Sequence, residues 1–219
     1  MEDESQVVDP RSAFRRAKVE HYLRRTEEYL AMGRYLTAQK TLETIRSLEP
    51  ENEECSNLER LLGERLYAVQ HRNNGTGAAP DTEPRKRRPE LVMIVDQDER
   101  VLTELCDGLR RHGFDTICAA SYDEAVSSLS TVSPDIIVSE VNFDTGPRGF
   151  DLFFWVKTNE ATRDVPFIFL AARIDRDMLI AGKRFGVDDL IQKPADHDVV
   201  TASIVNSLSH RKKVAPSGS

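Results

Sequence analysis

Hydrophobic residues in the first third of the chain recur at helical spacing. From about residue 11 to residue 32 they stand among Arg and Glu without a proline, and Gly33 then interrupts the pattern. A second series of apolar positions ends just before Pro50, which disfavours further helix, and a third begins near Asn52. The pattern predicts three amphipathic helices joined by short turns.

From residue 90 onward, short apolar runs alternate with amphipathic stretches. The runs occupy residues 91–95, 115–119, 136–138, 167–170 and 190–191. Runs that are apolar without alternation are typical of strands buried on both faces, and here a helical pattern follows each of them. Five such units in about 120 residues predict an α/β domain, with a five-stranded parallel doubly wound sheet and helices on both faces.

The stretch between these halves, NNGTGAAPDTEPRKRRP at residues 73–89, has three prolines and almost no apolar residue. It cannot bury enough surface to offset the entropy of ordering, so we expect a flexible basic linker. A helical domain over residues 1–72, an α/β domain over 90–210 and a disordered tail over 211–219 follow. The basic run at residues 85–88 is either a solvated part of the linker or an anion-binding patch, and its lack of aromatic or helical context favours the former.

Charge and cysteine content narrow the functional classes. The net charge is −7, and residues 90–219 carry 21 acidic against 14 basic side chains, which argues against a protein that coats nucleic acid. The sequence contains no apolar run of about 18 residues and begins with acidic residues, so we expect a cytoplasmic protein with no membrane partner. Cys106 and Cys118 are expected to pack as small apolar residues, and His112, His197 and His210 to be isolated from any metal-ligand set.

One segment of the helical half resembles the second half of a tetratricopeptide repeat. The matching positions are Gly33, Tyr35, Ala38, Leu42, Ile45 and Pro50. In the first half Tyr22 and Tyr29 match, but Arg25 and Thr26 stand where Leu and Gly are usual. A single repeat cannot bury its apolar face alone, so the resemblance implies pairing with a second copy, a partner protein or the other domain. The alternative is an ordinary helical bundle without a peptide groove.

The α/β half resembles the receiver domain of bacterial response regulators. Four segments carry the likeness: LVMIVDQDER, PDIIVSEVNFDTGPRGFDL, VPFIFLAA and GVDDLIQKP. Together they place acids and a lysine at the carboxyl ends of parallel strands, where such sheets hold their sites. The resemblance covers residues 90–210 and implies a flavodoxin-like sheet of order 2-1-3-4-5.

Several positions depart from that family in their chemistry. The second acid of the metal pair is replaced by Gln97, the phosphoacceptor aspartate by Glu140, the hydroxyl residue after the fourth strand by Ala171, and the aromatic switch residue by Leu190. Phosphoryl transfer needs an in-line nucleophile and Mg²⁺ to neutralise the transferring oxygens. We therefore expect a pseudo-receiver without phosphorylation and without a bound metal or cofactor.

Other positions retain the family's residue types. Asp96, Lys193 and the backbone carbonyl of Asn142 are kept, and a residual Mg²⁺ position would be formed by Asp96, Glu140 and Asn142. One hypothesis is that Glu140 reaches Lys193 and holds the pocket in one state. The other is that Glu140 is a solvated loop acid and the pocket is a relic.

The sequence thus predicts a non-catalytic signalling or scaffold protein of a two-component-type pathway. Both halves would bind proteins, the receiver through its helix four–strand five–helix five face, with a homo-oligomer as one possible state and no nucleic acid as partner. The consecutive aromatic residues 153–155 cannot all face one core, so at least one is a candidate interface anchor. The alternatives are a phosphorylatable response regulator of a phosphorelay and a nucleic-acid-binding regulator that uses residues 85–88.

Overall fold

In the computed structural model the chain divides into two compact units, Met1–Arg72 and Asn73–Ser219. The structure describes residues 10–71, 88–144, 146 and 148–214, and all but the last two residues of the expected linker lie outside these ranges. The first unit contains helices α1 (Pro10–Met32), α2 (Tyr35–Leu48) and α3 (Glu53–Gln70).

Close packing of α1 against α2 defines the first unit. Gly33 makes the turn between them with φ of 76°, a conformation that glycine adopts without strain. Thr26 and Ala38 are fully buried, and the Thr26 hydroxyl donates to the Tyr22 carbonyl (2.8 Å) and lies 2.9 Å from the Thr41 hydroxyl. Small side chains therefore occupy the contact between these helices.

The second unit is built on a parallel sheet of five strands, in the order β2-β1-β3-β4-β5, which confirms the predicted fold class. The strands are β1 (Leu91–Val95), β2 (Asp115–Ala119), β3 (Ile136–Glu140), β4 (Phe167–Ala171) and β5 (Asp189–Gln192). Strand β3 is longer than expected, because Glu140 pairs in register with Leu170 of β4. Glu140 is thus the last residue of a strand.

Helices cover both faces of this sheet. They are α4 (Glu99–Arg111), α5 (Tyr122–Leu129), α6 (Gly149–Thr158), α7 (Arg176–Phe185) and α8 (His197–Val214). Residues of α4 and α8 share one apolar cluster with Val92 and Ile94 of β1. Phe153 of α6 packs edge-on against Phe167 and is in ring contact with Phe169, and both of these residues belong to β4.

Some expectations are revised by these elements. Helix α8 continues to Val214, because basic residues near its end suit a helix C-terminus and the next proline comes later. Residues 215–219 of the expected tail lie outside the described ranges. Cys106 and Cys118 are both buried in the apolar cluster, as expected, and their sulfur atoms meet between α4 and β2. They are 12 positions apart, and only the docking of α4 beside β2 brings them together.

The aromatic residues of α6 behave as predicted. Phe153 is buried, whereas Phe154 is 43% exposed and meets Phe185 of α7 edge-on, with ring centroids 5.1 Å apart. Among the described residues, no helix combines the length and apolar character that crossing a membrane requires.

Candidate functional site

Two acids and one lysine meet at the carboxyl ends of β1, β3 and β5. Asp96 follows β1, Glu140 ends β3 and Lys193 follows β5. The Lys193 ammonium lies 2.5 Å from Asp96 Oδ2 and forms a second ion pair with Glu140 Oε2. Asp96 is 1% exposed and Glu140 6% exposed. Glu140 is therefore no solvated loop acid, and one ammonium serves two buried carboxylates.

The Glu140 carboxylate is engaged on both oxygens. Oε2 contacts Lys193, while Oε1 accepts hydrogen bonds from the backbone N–H groups of Val141 (2.8 Å) and Asn142 (3.0 Å). The longer glutamate side chain makes this possible, since it folds back over the turn after its own strand. The Val141 N–H is shared between this carboxylate and the Leu170 carbonyl of β4, which lies 2.9 Å from it.

Burial and pairing set the charge states of the site. Burial raises the pKa of Asp96, against the opposing effect of the Lys193 ammonium and of the Asp98 N–H, which donates to Asp96 Oδ1 at 3.0 Å. Burial alone would lower the pKa of Lys193, but the hydrogen bonds to Asp96 and Glu140 raise it. The Lys193 ammonium therefore stays charged.

The residue in the family's second acid position has a different task. Gln97 Oε1 accepts a hydrogen bond from the Asp144 N–H at 2.7 Å, which links the loop after β1 to the loop after β3. Asp98 caps α4, where its carboxylate accepts a hydrogen bond from the Arg100 N–H. Asn142 is exposed. Gln97 is thus a structural link between loops.

Ala171 and Leu190 are not members of the triad formed by Asp96, Glu140 and Lys193. Ala171 is fully buried and its carbonyl accepts from the Lys193 N–H at 2.8 Å. Leu190 packs on Gly182 of α7, where an added Cβ would lie 2.9 Å from Leu190 Cδ1. Sequence reasoning missed Gly149 at the start of α6, where a Cβ would meet the Glu140 carbonyl oxygen at 2.1 Å. A glycine on its own gives no such signal, because this contact is tertiary.

The residues present do not fit the Mg²⁺ ion that the fold family implies. Mg²⁺ requires near-octahedral oxygen ligands at about 2.0–2.1 Å. Here Lys193 contacts both carboxylates that would have to bind the ion, and Gln97 supplies no charge. In this pocket the Lys193 ammonium, and not a metal ion, is the cation that pairs with the two carboxylates.

The comparison with known families decides the identity of this unit. The family model for the response regulator receiver domain matches residues 92–205, just over half of the chain. The chain belongs to the response regulator receiver family. The five-stranded sheet of order β2-β1-β3-β4-β5 is that of a receiver domain.

Curated relatives match the receiver domain alone. The sensory transduction protein BceR of Halalkalibacterium halodurans is 26% identical over 113 residues, 52% of this chain and 47% of its own length. The phosphate regulon transcriptional regulatory protein PhoB of Escherichia coli is 29% identical over 113 residues, 52% of this chain and 49% of its own. The chain thus spans about half the length of the curated relatives that it matches.

Solved structures give the same result for the fold. A putative response regulator from Chloroflexus aurantiacus is 30% identical with a TM-score of 0.52, over 55% of this chain and 98% of its own. A response regulator from Desulfuromonas acetoxidans is 28% identical with a TM-score of 0.51, with the same shares covered. The helices of the first unit fall outside the family match.

Proposed function

We propose that this protein is a non-enzymatic signalling or scaffold component of a two-component-type pathway, whose receiver domain no longer accepts a phosphoryl group. The observation that carries the proposal is the bridging of Asp96 and Glu140 by Lys193. This network supplies internally the charge contacts that a metal ion and a phosphoryl group would otherwise make.

Phosphorylation is disfavoured by the geometry of the acceptor. A carboxylate that attacks phosphorus needs an unengaged oxygen in line, and both oxygens of Glu140 are bonded. Glutamate also carries its carboxylate about 1.5 Å further out than aspartate, and a misplacement of about 1 Å can cost about 100-fold in rate. Ala171 has no hydroxyl with which to follow a phosphoryl group.

A pocket held in one arrangement suits a protein that binds partners constitutively. The proposed docking surface is the face made by α7, β5 and α8, which is the receiver's helix four–strand five–helix five face. It exposes large apolar side chains, namely Leu179, Ile180, Val199 and Val205.

We propose that the first unit, with its single tetratricopeptide-like repeat, is a second protein-binding module, since one repeat leaves apolar surface to cover.

The direct test exposes the chain to Mg²⁺ and an acyl-phosphate donor and follows intact mass. We expect no gain of a phosphoryl group. A matched positive design carries Gln97→Asp, Glu140→Asp and Ala171→Ser together, and is expected to gain one. A stable phosphoryl adduct on the unaltered chain would support the second candidate, a phosphorylatable response regulator, which family membership favours.

Partner binding is tested separately on the two units. Light scattering on residues 1–72 is expected to show self-association, and a folded monomer with cooperative melting would count against the proposed module. Pull-downs with the full chain and with Leu179→Asp test the receiver face. Loss of receiver-dependent partners from the variant is expected, and unchanged capture would remove this face from the proposal. DNA binding is expected to be absent, and salt-dependent binding would favour the nucleic-acid alternative.

A further inference from the structure

Two histidines that are far apart in sequence converge at the contact between α4 and α8. His112 directly follows α4, and His197 is the first residue of α8. Their ring centroids are 5.7 Å apart, and Asp198 lies beside both. The expectation that these histidines are isolated from any ligand set is therefore wrong, whereas His210 is not part of this cluster.

The orientation of His112 defines which nitrogen faces the cluster. Its Nδ1 lies 3.0 Å from the Gly108 carbonyl oxygen, which can only accept a hydrogen bond, so Nδ1 carries the proton. In the neutral ring Nε2 then presents a lone pair, and it lies 3.1 Å from Asp198 Oδ1. Two acceptors at this distance require a cation between them, either a second proton on the ring or a metal ion.

His197 adds a third potential metal ligand to the cluster of His112 and Asp198. Its Nε2 lies 3.7 Å from Asp198 Oδ1, and the three ligand atoms all lie within 4.8 Å of one another. Gly108 makes this position possible, because a Cβ there would meet the His197 Cβ at 2.5 Å. The ring therefore occupies space that any larger residue at position 108 would take.

The two separations from Asp198 Oδ1, 3.1 Å to His112 Nε2 and 3.7 Å to His197 Nε2, bracket the ligand spacing of a small transition-metal ion. Zn²⁺ binds histidine nitrogen and carboxylate oxygen at about 2.0–2.2 Å, so neighbouring ligands of a tetrahedral site are about 3.4 Å apart. A histidine ligand usually donates its other ring N–H to a carbonyl, as His112 does to Gly108. Asp196 lies close by, with Oδ1 4.0 Å from His197 Nδ1, and adds negative charge.

We propose that His112, His197 and Asp198 form a binding site for a divalent transition-metal ion of the zinc type, with water in the fourth position. The site joins the end of α4 to the start of α8. The bound ion would tie α8 to α4.

The test is a titration of the metal-stripped full chain with ZnCl₂ at about pH 8, where few imidazoles carry a second proton. We expect one saturable ion per chain by calorimetry, and an upward shift of the melting temperature with zinc concentration. Co²⁺ as a spectroscopic probe is expected to give the visible absorption of a four-coordinate nitrogen–oxygen site.

Variants distinguish this site from adventitious binding. His112→Gln and Asp198→Asn change exposed side chains, and each is expected to weaken zinc binding at least tenfold without changing the circular dichroism of the metal-free chain. His210→Gln is the matched control, on the same helix but 13 residues from His197, and is expected to bind zinc as the unaltered chain does. The absence of saturable binding, or equal binding by all three variants, would overturn the proposal.

Discussion

Glu140 and Lys193 form a buried ion pair between the last residue of β3 and the first residue after β5. The same ammonium bonds Asp96, and the second oxygen of Glu140 bonds the two N–H groups of the following turn. The Lys193 ammonium thus bridges two buried carboxylates.

Replacing Lys193 by Met leaves two buried carboxylates without their cation. Removal of one partner of a buried ion pair costs about 3–5 kcal/mol, and since Lys193 is partly exposed we expect about 3 kcal/mol at pH 7. Burial raises the pKa of Asp96, and loss of the ammonium raises it further. A raised carboxyl pKa favours the folded state at low pH and loses that contribution as pH rises through the folded pKa. The deficit is therefore expected to be smaller at pH 4 than at pH 7 in urea unfolding.

Lys183→Met is the control for this experiment. Lys183 is exposed on α7, so its replacement is expected to change stability by less than about 0.5 kcal/mol at either pH. In the unaltered chain the raised pKa of Lys193 keeps its ammonium charged at neutral pH, and the contribution of the ammonium to stability is lost as the pH rises through that raised pKa. Equal deficits of Lys193→Met at both pH values would contradict the shared-cation interpretation.

The double variant Gln97→Asp and Glu140→Asp is expected to acquire Mg²⁺ binding. A side chain shortened by one methylene at position 140 gives up the bond to the turn or the contact with Lys193, and the added acid at position 97 supplies a second charge beside Asp96. Isothermal titration with MgCl₂ measures the gain. The single variant Gln97→Asn keeps the neutral charge and is expected to bind no more than the unaltered chain. Mg²⁺ binding of equal strength by the unaltered chain would refute the assignment.

Gly149→Ala is expected to destabilise the receiver unit by about 3 kcal/mol, because the new Cβ would overlap the Glu140 carbonyl oxygen and force α6 away from β3. Gly63→Ala in α3 is the matched control, since nothing lies within 4 Å of a Cβ there. It is expected to stabilise the chain by about 0.5–1 kcal/mol through helix propensity. Thermal unfolding followed by circular dichroism compares them, and an unaffected Gly149→Ala would show that α6 can shift freely.

Thr26→Leu is expected to destabilise the first unit by about 1–3 kcal/mol through overpacking between α1 and α2. The side chain is fully buried beside Thr41. Thr26→Val nearly keeps the volume and replaces the hydroxyl by a methyl group, and it should cost less, since Thr41 retains its bond to the Ala38 carbonyl. Denaturant unfolding ranks the two. A larger loss in the valine variant would mean that the hydroxyl network, rather than close packing, holds these helices.

The sequence was sufficient to predict the five-stranded sheet and the convergence of Asp96, Glu140 and Lys193 at one edge of it. Continuous apolar runs specified the strands, and the parallel order placed the residues that follow β1, β3 and β5 on one edge. It could not specify that Glu140 folds back onto Val141 and Asn142, because that bond depends on the backbone of the turn. Two hypotheses about Glu140 were therefore open until its burial was known.

The sequence patterns could not predict contacts between side chains that are far apart in the chain. His112 and His197 are 85 positions apart, and helical periodicity says nothing of which helix ends meet. The meeting of the Cys106 and Cys118 sulfur atoms likewise depends on how α4 lies on β2. In each case the local pattern was correct, and the missing information was the docking of one element on another.

Lys193 contacts a further strand of the sheet through its backbone N–H. Its N–H donates to the Ala171 carbonyl of β4, while Asp96, which it also bonds, donates its own N–H to the Ala119 carbonyl of β2. Every strand of the sheet therefore ends on a bond that leads to this lysine directly or through one neighbour. Backbone amides along this edge should exchange with deuterium as a single cooperative unit, at one common rate, and Lys193→Met should split that rate into separate ones for each strand.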